Sequence, residues 1–354
     1  MKANFFQQTP VNKEPQSGLQ LFRSEVPFQL ECGAVLPGLT IAYHTWGELN
    51  AAGNNVIWVC HALTANSNAQ DWWPNLIGEG LAFDTEKYFI VCANILGSCY
   101  GSTGPGSLNP ATEKPYYHSF PSVSIRDMVN AHELLVKHLR IKRIHLLAGG
   151  SMGGYQALEW AVMHPAIIEN LFLLTTSAKE SAWGIAIHTA QRMAIETDAT
   201  WKNGEPSDGK EGLKVARAIG MLTYRSYVSF VKTQSDTDSE KVDEFRASSY
   251  IRYQGEKLAN RFSAHSYWLL SKALDSHNIA RGRGAIADVL KTITAKTLVM
   301  SISSDLLCPV NEGEFLRNHI PNSTFVIIDS LYGHDGFLVE TEAITRYLSE
   351  WLPS

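Results

Sequence analysis

The sequence predicts an α/β protein with a mostly parallel central sheet flanked by helices and interrupted by one helical insertion. Three features carry this reading. Short apolar runs without polar alternation recur along the chain, a stretch with helical spacing separates two of them, and one long segment lacks such runs altogether. Strands covered on both faces read as continuous apolar runs, whereas half-exposed strands alternate.

Taken in order, 20–22 and 39–45 alternate and read as antiparallel edge strands. The runs at 56–60, 88–93, 144–148, 171–175, 297–301 and 324–328 are rich in Val, Ile and Leu and read as buried strands. Residues 124–139 place Ile125, Met128, Val129, Leu135 and Leu139 at helical spacing, with Ser124 as a cap. Strands separated by helices argue for a parallel, doubly wound sheet. From 177 to 288 the chain is helical in character, with polar interruptions at 202–210 and 233–240. The expected organisation is a discontinuous core domain, 1–176 and 289–354, with an inserted helical lid at 177–288.

Composition excludes several classes. The 354 residues are 45% apolar and 18% charged, with a net charge of −5. That balance offers no electrostatic case for nucleic acid or an anionic membrane surface. No apolar run approaches the roughly 20 residues that span a bilayer. The first 17 residues are polar and lack a secretory hydrophobic core, so a cytoplasmic location is expected. Cys32, Cys60, Cys92, Cys99 and Cys308 have neither zinc-site nor redox spacing, so free thiols and no metal are expected. Cys99 and Cys308 lie in polar loops and are candidates for ligand contact.

The chemistry begins at Gly149-Gly150-Ser151-Met152-Gly153, a G-x-S-x-G between an apolar run and a helical pattern. Strand, G-x-S-x-G and helix together make a nucleophile elbow, which identifies the α/β-hydrolase fold and Ser151 as nucleophile. The glycines let a strained turn pass close to its neighbours. The same turn puts the Met152 N–H at a helix N-terminus, where it can donate to an oxyanion.

In this fold the acid and then the histidine follow the serine. Ser303-Ser304-Asp305 follows one predicted strand, and Tyr332-Gly333-His334-Asp335 follows the next. His334 is the expected base and Asp305 the residue that orients it. Asp329 and Asp335 are rival acids, but residues adjacent to the histidine or on its own strand rarely reach the same ring nitrogen. His132, His138 and His145 read as packing or surface residues, while His61 directly follows a strand. The second oxyanion donor should follow an early strand. Leu63, in His61-Ala62-Leu63-Thr64, is assigned that role.

Six stretches resemble the homoserine O-acetyltransferase family. They are His61-Ala62-Leu63-Thr64, Gly101-Ser102-Thr103-Gly104-Pro105, Gly149 to Gly154, Leu222-Thr223-Tyr224-Arg225-Ser226, Tyr253-Gln254-Gly255 with Arg261-Phe262, and Tyr332-Gly333-His334-Asp335. They occur in the family's order and span nearly the whole chain. The resemblance implies transfer of an acetyl group from acetyl-CoA to the side-chain hydroxyl of L-homoserine in methionine biosynthesis. It implies a ping-pong acyl-serine mechanism, acetyl-CoA as substrate with no bound cofactor, and a homodimer joined through the lid. It further implies that Arg217 and Tyr224 hold the amino acid's carboxylate and that Asp335 receives its amino-bearing end. Residues 66–70, Gly97-Ser98-Cys99-Tyr100 and Gly336 depart from the family pattern. From these loops alone, succinyl transfer, serine as acceptor, an esterase-type hydrolase, or a non-catalytic ligand-binding member of the fold remain alternatives.

Overall fold

The computed structural model describes residues 18–352. The polar N-terminal stretch, 1–17, lies outside the described residues. The sheet strands are β1 (Gln20–Ser24), β2 (Leu39–Trp46), β3 (Val56–Cys60), β4 (Phe89–Ala93), β5 (Ile144–Gly150), β6 (Ile168–Leu174), β7 (Lys296–Ile302) and β8 (Ser323–Ile328). They form one sheet in the order β1-β2-β4-β3-β5-β6-β7-β8. Strands β3 to β8 run parallel, and β2 is antiparallel to both β1 and β4.

The apolar runs are buried on both faces. In β3, Trp58 packs with Trp160, Met128 and Leu135 on one side, while Ile57 and Val59 join Phe172, Met300 and Ile344 on the other. Strand β6 begins at Ile168, three residues before its apolar run, because Ile168 pairs with Ile144 and Asn170 with Leu146 and Lys296. It stops at Leu174, since Thr175 turns to φ 45°.

Helix α1 (Ile125–His138) starts at a reciprocal capping box. The Asp127 N–H donates to Ser124 Oγ at 3.1 Å, and the Ser124 N–H donates to Asp127 Oδ2 at 2.9 Å. Two otherwise orphaned N–H groups are satisfied this way. Asp127 Oδ1 accepts a third N–H, from Glu31 at 2.9 Å.

Between β6 and β7 lie α3 (Ala182–Glu196), α4 (Lys210–Tyr224), α5 (Tyr227–Gln234), α6 (Arg246–Ala259) and α7 (Ala264–Asp275). The two ends of this insertion are zipped together. The Glu180 N–H donates to the His277 carbonyl at 3.0 Å, and the Ile279 N–H to the Ala178 carbonyl at 3.1 Å. No helix among the described residues is long and apolar enough to cross a membrane.

The register carries the site. Cys60 sits opposite Gly149, Gly150 opposite Leu174, and Ile302 opposite Ile328. The turns that follow these strands therefore gather at one edge, where open α/β sheets bind ligands.

Replacing Ser124 by Ala removes one arm of the capping box. It is expected to lower unfolding stability by about 1 kcal/mol, read as a reduced urea midpoint at unchanged slope, with catalytic activity retained.

Candidate active site

Ser151 sits between β5 and α2 (Met152–Met163) with φ 55° and ψ −126°. A non-glycine residue held there stores on the order of 1–3 kcal/mol and needs firm surroundings. Those surroundings are hydrogen bonds. The Ser151 N–H donates to the Leu174 carbonyl at 3.0 Å, while the Ser151 carbonyl accepts from the N–H groups of Gly154 and Tyr155. Thr176 Oγ1 adds a further bond to that carbonyl at 3.2 Å. The turn is passable only without side chains: a Cβ on Gly153 would lie 2.0 Å from the Cys60 carbonyl oxygen.

His334 Nε2 lies 2.8 Å from Ser151 Oγ, and His334 Nδ1 lies 2.7 Å from Asp305 Oδ2. A carboxylate only accepts, so Nδ1 carries the proton and Nε2 presents its lone pair to the serine hydroxyl. Asp305 Oδ1 accepts the N–H groups of Leu307 at 2.8 Å and Cys308 at 3.0 Å, which fixes the carboxylate. The rival acids are engaged elsewhere. Asp329 is exposed and accepts from Ser303 Oγ at 3.0 Å, and Asp335 Oδ2 pairs with Arg225 Nε at 3.0 Å.

Burial of His334 opposes its charged form. Asp305, together with Asp335 and Glu180, more than offsets this and raises the imidazole above its ordinary 6.5. Burial also raises the Asp335 carboxyl, against the pull of Arg225 and Arg217.

Leu63 and Met152 flank the serine. Leu63 lines the cavity at Ser151, and Met152 opens α2. Neither N–H has a hydrogen-bond partner among the described residues. The loop carrying Leu63 is held by His61, whose Nδ1–H donates to the Ala62 carbonyl at 2.8 Å while Nε2 accepts the Ile95 N–H at 3.2 Å. Burial lowers this imidazole to about 4, so it stays neutral. The other weighed histidines lie away from Ser151: His132 packs between Trp58 and Trp160, His145 stacks on Tyr88, and His138 packs on Phe22.

The cavity, about 40 Å3, is also lined by Tyr155, Glu180, Tyr224 and Cys308. The Tyr224 ring is 6.1 Å from that of His334 and carries the Arg217 guanidinium at 5.1 Å. Arg217 has no carboxylate partner among the described residues. The Cys308 thiol is pushed well up by burial, aided by Asp305 and Glu180, and is thereby kept protonated. Cys99 is exposed and does not line this cavity.

Residues 55–341 match the model of the alpha/beta hydrolase fold family. A homoserine O-acetyltransferase of Cyclobacterium marinum is 48% identical over 332 residues, covering 94% of each chain. The chain belongs to the homoserine O-acetyltransferase family of α/β-hydrolases. The crystal structure of the Bacillus anthracis homoserine O-acetyltransferase superposes with TM-score 0.87 at 25% identity, over 95% of this chain and 97% of that one. Esterase E22 superposes with TM-score 0.86 at 24% identity, over 94% and 99% of the two chains. The backbone shape is thus shared by enzymes named for different reactions.

Sequence reasoning passed over Glu180, a buried carboxylate in the cavity that accepts from Tyr155 Oη at 3.0 Å. Burial raises its carboxyl, with His188 pulling the other way. Its one legible signal is its position a few residues beyond the end of β6. Arg225 was visible within Leu222-Thr223-Tyr224-Arg225-Ser226, but its partner Asp335 lies far away in sequence.

A base must be neutral to accept a proton, so activity should fall as pH drops through the raised pKa of His334. The acid limb of kcat/KM is expected above 6.5. Glu180→Gln removes one of the charges that raise it and should move the limb to lower pH, measured as a kcat/KM–pH profile of both proteins.

Proposed function

We propose that this enzyme transfers an acetyl group from acetyl-CoA to the side-chain hydroxyl of L-homoserine, a step of methionine biosynthesis, through an acyl-Ser151 intermediate. The carrying observation is the buried Ser151–His334–Asp305 relay in a chain whose relative, nearly half identical over almost its full length, is a homoserine O-acetyltransferase.

His334 Nε2 takes the Ser151 proton as Oγ attacks the thioester carbonyl. The N–H groups of Leu63 and Met152 stabilise the oxyanion, each donor worth about 3 kcal/mol in the transition state. Collapse breaks the C–S bond, and the CoA thiolate takes the proton from His334. The homoserine hydroxyl then gives its proton to His334 and attacks the acyl-serine. The ester product leaves as Ser151 Oγ recovers the proton. Asp305 keeps the imidazole in the productive tautomer throughout.

Residues 177–288 act as a lid in this reading. Arg217 and Tyr224 bind the acceptor's carboxylate, since an Arg without a carboxylate partner, stacked on a cavity-lining Tyr, offers a planar fork for it. Asp335 receives the ammonium alongside its bond to Arg225. A narrow cavity favours the amino-acid hydroxyl over water by exclusion and proximity. Two copies pair through the lid, where Leu222, Tyr227, Val242 and Tyr253 expose apolar side chains. The enzyme works in the cytoplasm on small-molecule substrates, without a bound cofactor.

Free-thiol release from acetyl-CoA should require L-homoserine and vanish in Ser151→Ala. Release indifferent to any amino-acid acceptor would refute the transferase reading and leave an esterase-type hydrolase. A preference for succinyl-CoA or L-serine would replace the donor or acceptor assignment. Arg217→Gln should raise the KM for homoserine about 10- to 100-fold, the worth of one or two charge-assisted hydrogen bonds. The KM for acetyl-CoA should change little, both read from initial rates.

A further inference from the structure

A second cluster of titratable side chains lies away from Ser151, where the insertion meets the core. One ligand atom each from His118, Asp208 and His265 lies within 4.8 Å of the others. The three come from different segments: a turn at Tyr117–Ser119, the connection between α3 and α4, and the first turn of α7. His265 and Asp208 are 3% and 2% exposed, whereas His118 is open to solvent.

The hydrogen bonds decide which nitrogens are free. His118 Nε2 bonds the Trp201 carbonyl at 2.5 Å, and His265 Nε2 bonds the Glu205 carbonyl at 3.2 Å. A carbonyl only accepts, so both imidazoles carry their proton on Nε2 and leave Nδ1 as a bare lone pair. His265 Nδ1 is buried without any partner. Its ring stacks between Tyr117 at 4.8 Å and Trp201 at 4.9 Å. The Asp208 carboxylate is hydrogen-bonded, with Oδ2 accepting the N–H groups of Gly204 at 2.6 Å and Glu205 at 2.9 Å. Metal-bound imidazoles characteristically donate their other N–H to a carbonyl or carboxylate, and their carboxylate co-ligands are themselves hydrogen-bonded. A buried lone pair without a donor is otherwise a cost.

We infer that His118, Asp208 and His265 form a binding site for a divalent transition metal of the zinc class, which clips the α3–α4 connection and α7 to the core turn at His118. Two imidazoles and one carboxylate suit such an ion and leave a fourth position for water. Ligand atoms about 2.0–2.1 Å from a tetrahedral ion lie roughly 3.4 Å apart, so modest closure of the three side chains completes the shell. The inference is independent of the acyl-transfer reading, because none of the three residues lines the cavity at Ser151.

The test is calorimetric titration of the chelator-treated full chain with ZnCl2, paired with melting temperatures with and without the ion. One Zn2+ per chain and a raised melting temperature are expected. Both should persist in His334→Ala, which disables the only other such grouping among the described residues, Asp305, Cys308 and His334. His118→Ala and Asp208→Asn should weaken binding by more than the roughly 10- to 100-fold that loss of a supporting hydrogen bond costs. His118 is exposed, so its variant decides the matter if Asp208→Asn does not fold. No stoichiometric binding, binding unchanged in His118→Ala, or binding abolished by His334→Ala would overturn the inference.

Discussion

The active site depends on holding Ser151 at a positive φ. An L-residue avoids that conformation unless its neighbours leave it no alternative. Here the strand behind, the helix ahead and the Leu174 carbonyl beside it share the constraint. The resulting sharp turn sets Ser151 Oγ 2.8 Å from His334 Nε2 and starts α2 at Met152. The absent Cβ of Gly153 lets α2 approach the end of β3 closely, since a Cβ there would lie 2.0 Å from the Cys60 carbonyl oxygen. The nucleophile and the helix N-terminus beside it therefore share one cause.

Around that turn the charge distribution is lopsided. Asp305, Asp335 and Glu180 all act on His334. Burial alone would keep the imidazole neutral, and the carboxylates more than compensate. A base raised above its ordinary value is a stronger proton acceptor. Arg225 restrains this field by pairing with Asp335, which also ties the end of α4 to the loop carrying His334. Gly333 permits the contact at φ 65°, since a Cβ there would lie 2.7 Å from the Ser226 nitrogen. The insertion and the loop carrying His334 are packed as one surface.

The superposition on an esterase shows how little the backbone says about the reaction. The same elbow serves hydrolysis or transfer according to which nucleophile reaches the acyl-enzyme. For this chain the difference rests on a few side chains of the insertion and on a cavity too narrow to hold much water. In the proposed reaction, Arg217 and Tyr224 would hold the acceptor's carboxylate, Asp335 would supply the counter-charge, and exclusion of bulk solvent would favour an amino-acid hydroxyl.

The sequence by itself determined the parallel sheet, the elbow and the candidates on either side of it. Apolar runs such as 56–60 and 144–148 report burial on both faces, and glycines beside a serine report a turn that tolerates no Cβ. These are local properties, written in neighbouring residues. The sequence also favoured Asp305 over Asp329 and Asp335 as the partner of His334, and the tertiary structure supplied the strand register that brings its carboxylate to within 2.7 Å of Nδ1. The tertiary structure alone turned Glu180 into the cavity, paired Arg225 with Asp335, and gathered His118, Asp208 and His265 from three separate segments. Such contacts join residues far apart in the chain, and no spacing rule encodes them. Their geometry follows from how the insertion packs against the sheet edge, which is a property of the whole fold.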